Sequence, residues 1–134
     1  MPNRLSRPLI LGYTPTPQGE AALELAITQA QLHDAALVVV NVSRAESYVD
    51  TNLAEDSQLK ALDNILQASG LEHEIIQHIG RDPATDILDI ANSREAAMIV
   101  LGLRRRSAVG KLLLGSTAQS ILLNADCPVL TIRA

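Results

Sequence analysis

The sequence predicts an α/β fold: a five-stranded parallel sheet with helices on both faces. Three observations carry this. Along 134 residues, five short apolar runs alternate with four stretches of helical period, the pattern of successive βα units. The run Ala36-Leu37-Val38-Val39-Val40-Asn41-Val42 is β-branched and almost continuously apolar, as strands buried on both faces are. Three helical stretches open on start signals: Thr16-Pro17, Asp82-Pro83, and Ser116 three residues before Gln119.

The elements follow in order. Pro8 to Tyr13 is a short apolar strand that ends in Thr14-Pro15-Thr16-Pro17. Thr16 reads as an N-cap and Pro17 as the first helical residue. From Gln18 to His33 the period is helical, with Leu23, Ile27 and Ala30 on one stripe and Ala22, Leu25 and Ala26 widening it. Gly19, in the first turn, costs that helix some propensity. After the Ala36–Val42 strand, the polar stretch Ser43 to Asn52 reads as a loop.

A second helix is expected from Leu53 to Ser69, with Leu59, Leu62 and Leu66 facing inward and Gly70 at the C′ position. Leu71 to Ile79 is more polar, which suits a strand at a sheet edge. Asp82 then caps a third helix begun by Pro83, whose inner face is Ile87, Leu88, Ile90 and Ala91. Ala96 to Leu101 reads as a buried strand. Ala118, Ile121, Leu122 and Ala125 mark a fourth helix, and Cys127 to Ile132 the last strand.

Composition narrows the function classes. The whole chain is expected to form a single domain, 1–134. Apolar residues make up 47 %, Phe and Trp are absent, and the only aromatic residues are Tyr13 and Tyr48. Such a chain is poorly equipped to read single-stranded nucleic acid by stacking. The formal net charge of −4 also lacks the broad basic face of nucleic-acid binders. Cys127 is the sole cysteine, so neither an internal disulfide nor a cysteine-based zinc site is available, and a packed, inert thiol is expected. No stretch is apolar enough to span a membrane, and the start of the chain does not read as a secretory signal. A cytoplasmic location is expected.

The most informative segment is Gly102 to Thr117, in which a buried strand enters a basic, glycine-bearing loop that ends at a helix start. Arg104-Arg105-Arg106 and Lys111 supply positive charge there. Loop glycines and a helix N-terminus supply backbone N–H donors for an anion. In a doubly wound sheet the ligand crevice lies beyond the strand C-termini, where the winding reverses. The basic loop follows a strand of that kind.

Other chemistries fit poorly. Gly110-Lys111 lacks the glycine five residues upstream and the following Ser or Thr of a nucleotide-binding P-loop. His73 and His78 lie an odd number apart on one strand and face opposite sides. With His33 they form no metal set, and surface or interface roles are expected for them. Ser116 has no histidine partner in view and serves as a helix cap. Asp82 alone does not make the acidic pocket of a phospho-accepting receiver domain.

Leu112-Leu113-Leu114-Gly115-Ser116 and Asp126-Cys127-Pro128-Val129-Leu130 closely resemble the universal stress protein family. So does the spacing of Gly102, two residues, position 105, nine residues, then Gly115-Ser116. Gly80-Arg81-Asp82-Pro83 is similar as well, and the resemblance covers the full length. It implies a sheet in the order 3-2-1-4-5 and, as in one branch of the family, ATP carried with or without magnesium.

By resemblance, Gly102 and Arg105 lie along the phosphates, with Leu101 and Arg104 also in the nucleotide site, and Gly115, Ser116 and Thr117 close over phosphates and ribose. Val42 packs near the adenine, and Gly12, Tyr13 and Thr14 line the base and ribose side. Two positions differ from that branch. Thr14 stands where an acidic residue is usual, and Arg105 replaces the second loop glycine. The resemblance further implies a homodimer through the last strand and at most slow ATP hydrolysis. The protein would act as a sensor or regulator and not as an enzyme of ordinary turnover. The alternative is a protein-interaction module of the same fold without nucleotide.

Overall fold

A computed structural model describes residues 7–44, 52–104 and 114–134. Strands β1 (Leu9–Gly12), β2 (Leu37–Ser43), β3 (His73–Ile79), β4 (Met98–Leu103) and β5 (Val129–Arg133) alternate with helices α1 (Pro17–Leu32), α2 (Asp56–Ala68), α3 (Pro83–Ser93) and α4 (Ser116–Asn124). The sheet is parallel throughout, in the order β3-β2-β1-β4-β5. Winding therefore reverses at β1, whose Gly12 pairs with Val40 on one side and Leu101 on the other.

Alternation along the strands divides the core in two. Leu9, Leu11, Val39 and Val100 face α1 and α2, where Leu23, Ala26, Leu62 and Leu66 complete a buried cluster. Ile10, Val38, Val40, Ile99 and Leu101 face α3 and α4, against Ala84, Ile87, Ala91 and Ile121. A core without Phe or Trp suits this arrangement, because small aliphatic side chains let helices lie close to the sheet.

Most helix ends behave as the sequence indicates. Thr16 Oγ1 accepts from Gly19 N at 3.1 Å, and Asp82 Oδ2 accepts from Thr85 N at 3.0 Å. Gly70 closes α2 with φ +77°, a left-handed conformation that costs glycine little. Helix α2 begins later than expected, at Asp56. Leu53 and Ala54 are buried ahead of it, and Gln58 Oε1 reaches back to Glu55 N at 2.8 Å.

Three expectations require correction. Ser116 is the first helical residue of α4 and not its cap; Gly115 is the N-cap, with extended backbone at ψ 159° and no side-chain cap bond. The inward stripe of α4 keeps Ile121, with Ala118 and Ala125 packed beside it, but Leu122 is 40 % exposed and the next residue, Leu123, 75 %. Helix α4 packs chiefly beside α3. Of the histidines, His33 is exposed as expected, but His73 and His78 are engaged by neighbouring carboxylates. His73 Nε2 lies 2.8 Å from Asp63 Oδ1 on α2 and its Nδ1 3.0 Å from Leu71 O. His78 Nδ1 pairs with Asp86 on α3. The two rings do face opposite sides. Burial lowers the His73 pKa, but the Leu71 carbonyl and then Asp63 outweigh it, so the net shift is upward.

One buried polar side chain ties the C-terminal ends of the strands together. Asn41, fully buried in β2, donates from Nδ2 to Tyr13 O at 2.9 Å and to Asn52 O at 2.8 Å. Its Oδ1 accepts from Ala54 N and Gln77 Nε2, both at 2.9 Å. All four hydrogen-bonding positions of the amide are used. Asn41→Ala leaves carbonyl and amide groups unpaired in the interior, and we expect a loss of about 3 kcal/mol in chemical denaturation. Asn41→Asp should be no better, because a carboxylate would face two carbonyl oxygens.

Candidate functional site

Beyond the C-terminal ends of β1, β2 and β4 lies a cleft of about 650 Å³, within the range of roughly 300–1,000 Å³ usual for small-molecule sites. The sequence-predicted residues Gly12, Tyr13, Thr14, Val42, Leu101, Gly102, Arg104, Gly115, Ser116 and Thr117 all line it. Arg105 lies outside the described residues. Gln18, Val40, Arg44, Asn52, Pro83 and Ile87 also line it and were not expected. Those on helices could have been found from the caps, since Gln18 and Pro83 sit in the first turns that follow Thr16 and Asp82.

The floor of the cleft is apolar. Val40, Val42, Ile87 and Leu101 belong to the cluster on the α3 and α4 side of the sheet. Gly12 makes room for them: a Cβ there would lie 2.8 Å from Leu101 Cδ2 and 3.1 Å from Ile87 Cδ1.

The wall formed by α1 is set by two glycines. A Cβ on Gly19 would lie 1.7 Å from the carbonyl oxygen of Thr14, and one on Gly102 would lie 2.0 Å from the carbonyl oxygen of Gln18. The first turn of α1 is thus wedged between the end of β1 and the end of β4. Gly19 does more than weaken a helix, because only glycine allows this approach. Gly102 borders the cleft, but its bare Cα faces α1. Tyr13 is 4 % exposed and its hydroxyl donates to Glu20. Burial, then the hydrogen bond and charge of Glu20, push its phenol far above the usual pKa, so it stays neutral. Thr14 Oγ1 and Thr16 Oγ1 lie 2.8 Å apart.

Three helix N-termini border the cleft, and they are not equivalent. Helices α1 and α3 each carry proline in the first turn and a side-chain cap, Thr16 and Asp82. Asp82 also holds Arg44 Nη2 at 2.7 Å. Among the described residues no side chain caps α4. Its first turn, Ser116 to Ala118, borders the cleft together with exposed Arg104 at the end of β4. Helix N–H groups that no described side chain caps, and the positive end of the helix dipole, are therefore concentrated at this end of the cleft.

Cys127 lies away from this site. It is half-buried, and burial followed by the charge of Asp126 raises its thiol pKa, which disfavours the reactive thiolate. Among the described residues no group of His, Cys, Asp and Glu is placed to hold a metal ion, and no helix is long and apolar enough to cross a membrane.

Gly102→Ala should cost about 3 kcal/mol in thermal or chemical unfolding, because the new methyl group meets backbone that cannot move aside. Gly115→Ala, where a Cβ meets nothing within 4 Å, should unfold within about 1 kcal/mol of the parent.

Comparison with known proteins fits this architecture. The chain matches the model of the Universal stress protein family over residues 6–133. It is 38 % identical over 125 residues to a universal stress protein of Mycolicibacterium smegmatis, covering 93 % of this chain and 96 % of the relative. Among solved structures, a universal stress protein from Archaeoglobus fulgidus superposes with a TM-score of 0.79 at 28 % identity, over 94 % of this chain and 98 % of that one. A second from the same organism, in complex with dAMP, gives 0.73 at 23 % identity, over 96 % and 98 %.

Proposed function

This chain belongs to the universal stress protein family, and from that premise we propose that its cleft binds an adenine nucleotide, with ATP as the physiological ligand. The base lies over Val40, Val42 and Leu101, on the ribose side of which stand Gly12, Tyr13 and Thr14. The phosphates lie at the first turn of α4, against Gly115, Ser116 and Thr117, with Arg104 beside them and Arg105 following in sequence. The observation that carries this reading is the contrast between the helix ends. Of the three that border the cleft, the one beside Arg104 is the one without a side-chain cap among the described residues, which leaves its donors for an external anion. The dAMP complex of a protein of the same fold supports an adenine nucleotide as the ligand.

The role that follows is binding and signalling. The cleft lining contains no Asp, Glu or His among its described residues, so no general base stands ready to activate water. Any ATP hydrolysis is slow. We propose a cytoplasmic sensor or regulator of the stress response that acts as a homodimer. Among the described residues strand β5 ends the sheet with one side unpaired, and Leu122 and Leu123 are exposed on the preceding helix. An uncovered edge of this kind favours pairing with a second copy.

Gly115→Asp separates binding from folding. Aspartate is a favoured N-cap, so the variant should unfold as late as the parent or later, by about 0.3 kcal/mol. Its carboxylate would occupy the donors that the phosphates need and repel them. In a calorimetric titration the affinity for ATP should fall about tenfold or more. Unchanged affinity in the folded variant would remove α4 from the binding site.

A further inference from the structure

We infer that the cleft takes its nucleotide as the metal-free polyphosphate and supplies the counter-charge from its own groups, an inference that rests on the nucleotide reading above. The charged side chains among the described lining residues are Arg44 and Arg104. At the α4 end Arg104, the uncapped first turn and the hydroxyls of Ser116 and Thr117 come together.

Protein sites that hold magnesium on a nucleotide do so with one or two carboxylates acting alongside the phosphates. The acidic residues near these helix starts are engaged elsewhere. Glu20 accepts from the Tyr13 hydroxyl. Asp82 holds Thr85 and Arg44. Asp86 is buried between His78 and Arg81. None of them lines the cleft.

The electrostatic consequence is direct. A guanidinium and a helix N-terminus gain most from a phosphate chain that carries its full negative charge. Magnesium on that chain cancels two of those charges and brings water molecules to oxygens that the α4 amides would otherwise contact. With no carboxylate among the described lining residues to favour the ion in return, the magnesium complex is the weaker ligand. The site therefore responds to the free polyphosphate and competes with magnesium for it.

The test is a calorimetric titration of the full chain with ATP in EDTA and again in excess magnesium chloride, repeated with Arg104→Ala. ATP in EDTA should bind about fivefold more tightly, the effect of roughly one unit-charge interaction at contact distance in water. Arg104→Ala, exposed and expected to melt with the parent, should narrow that gap by weakening metal-free ATP more than its magnesium complex. Equal or tighter binding in magnesium by the parent overturns the inference and leaves the nucleotide reading standing. A gap that Arg104→Ala leaves intact overturns the assignment of the counter-charge to Arg104. No heat in either buffer overturns both the inference and the nucleotide reading.

Discussion

The amide of Asn41 holds the working end of this molecule in place. It is the one amide in a buried, mostly apolar strand, and its four hydrogen bonds run to the exit of β1, the approach to α2 and the side chain of Gln77 on β3. Gln77 in turn donates to Ala54 O at 2.8 Å. A buried network of this kind is worth having only when complete, and this one is complete. From Tyr13 the constraint passes along the chain. Its carbonyl is fixed by Asn41, the next carbonyl, that of Thr14, rests against Gly19, and the neighbouring carbonyl of Gln18 rests against Gly102. A linkage of backbone contacts thus joins β2 to β4 across the crevice, with glycine wherever backbone must approach backbone.

That linkage explains why the cleft is asymmetric in charge. Wedging α1 between β1 and β4 brings its N-terminus to the cleft but leaves it satisfied by Thr16. Asp82 does the same for α3 and draws in Arg44. Of the three helix starts only α4 has glycine at the cap, and beside it stands Arg104, whereas Arg44 at the end of β2 is held by Asp82. An apolar floor that leads to a donor-rich end suits a ligand with an aromatic base at one end and phosphate at the other. Neither half of the arrangement would select such a ligand alone.

Much of this was legible in the sequence. The order of elements follows from the alternation of apolar runs with helical periods. The caps Thr16 and Asp82 and the C′ glycine Gly70 appear where their residue types indicate, and the crevice follows from the point where winding reverses. Other features were hidden because they depend on tertiary contact. Nothing local tells Gly19 from a weak point in a helix, or Gly102 from a phosphate-loop glycine. The missing side chain of each matters because of a carbonyl contributed by a different element or turn. Ser116 looked like a cap because Gln119 stands at the right spacing, yet the helix starts one residue earlier. Asn41 was visible as the single amide in its strand and could have been flagged as a buried junction. Its partners could not, because they come from three separate segments.

The most direct test of the account is to follow backbone amides and methyl groups of isotope-labelled protein by NMR during titration with ATP. The account predicts that the amides of Ser116, Thr117 and Ala118 and the methyls of Val40 and Val42 shift together along one saturation curve. That result would mean one ligand spans the apolar floor and the uncapped helix end. Shifts confined to β5, or none at saturating ATP in the folded protein, would contradict it and leave the cleft without a nucleotide role.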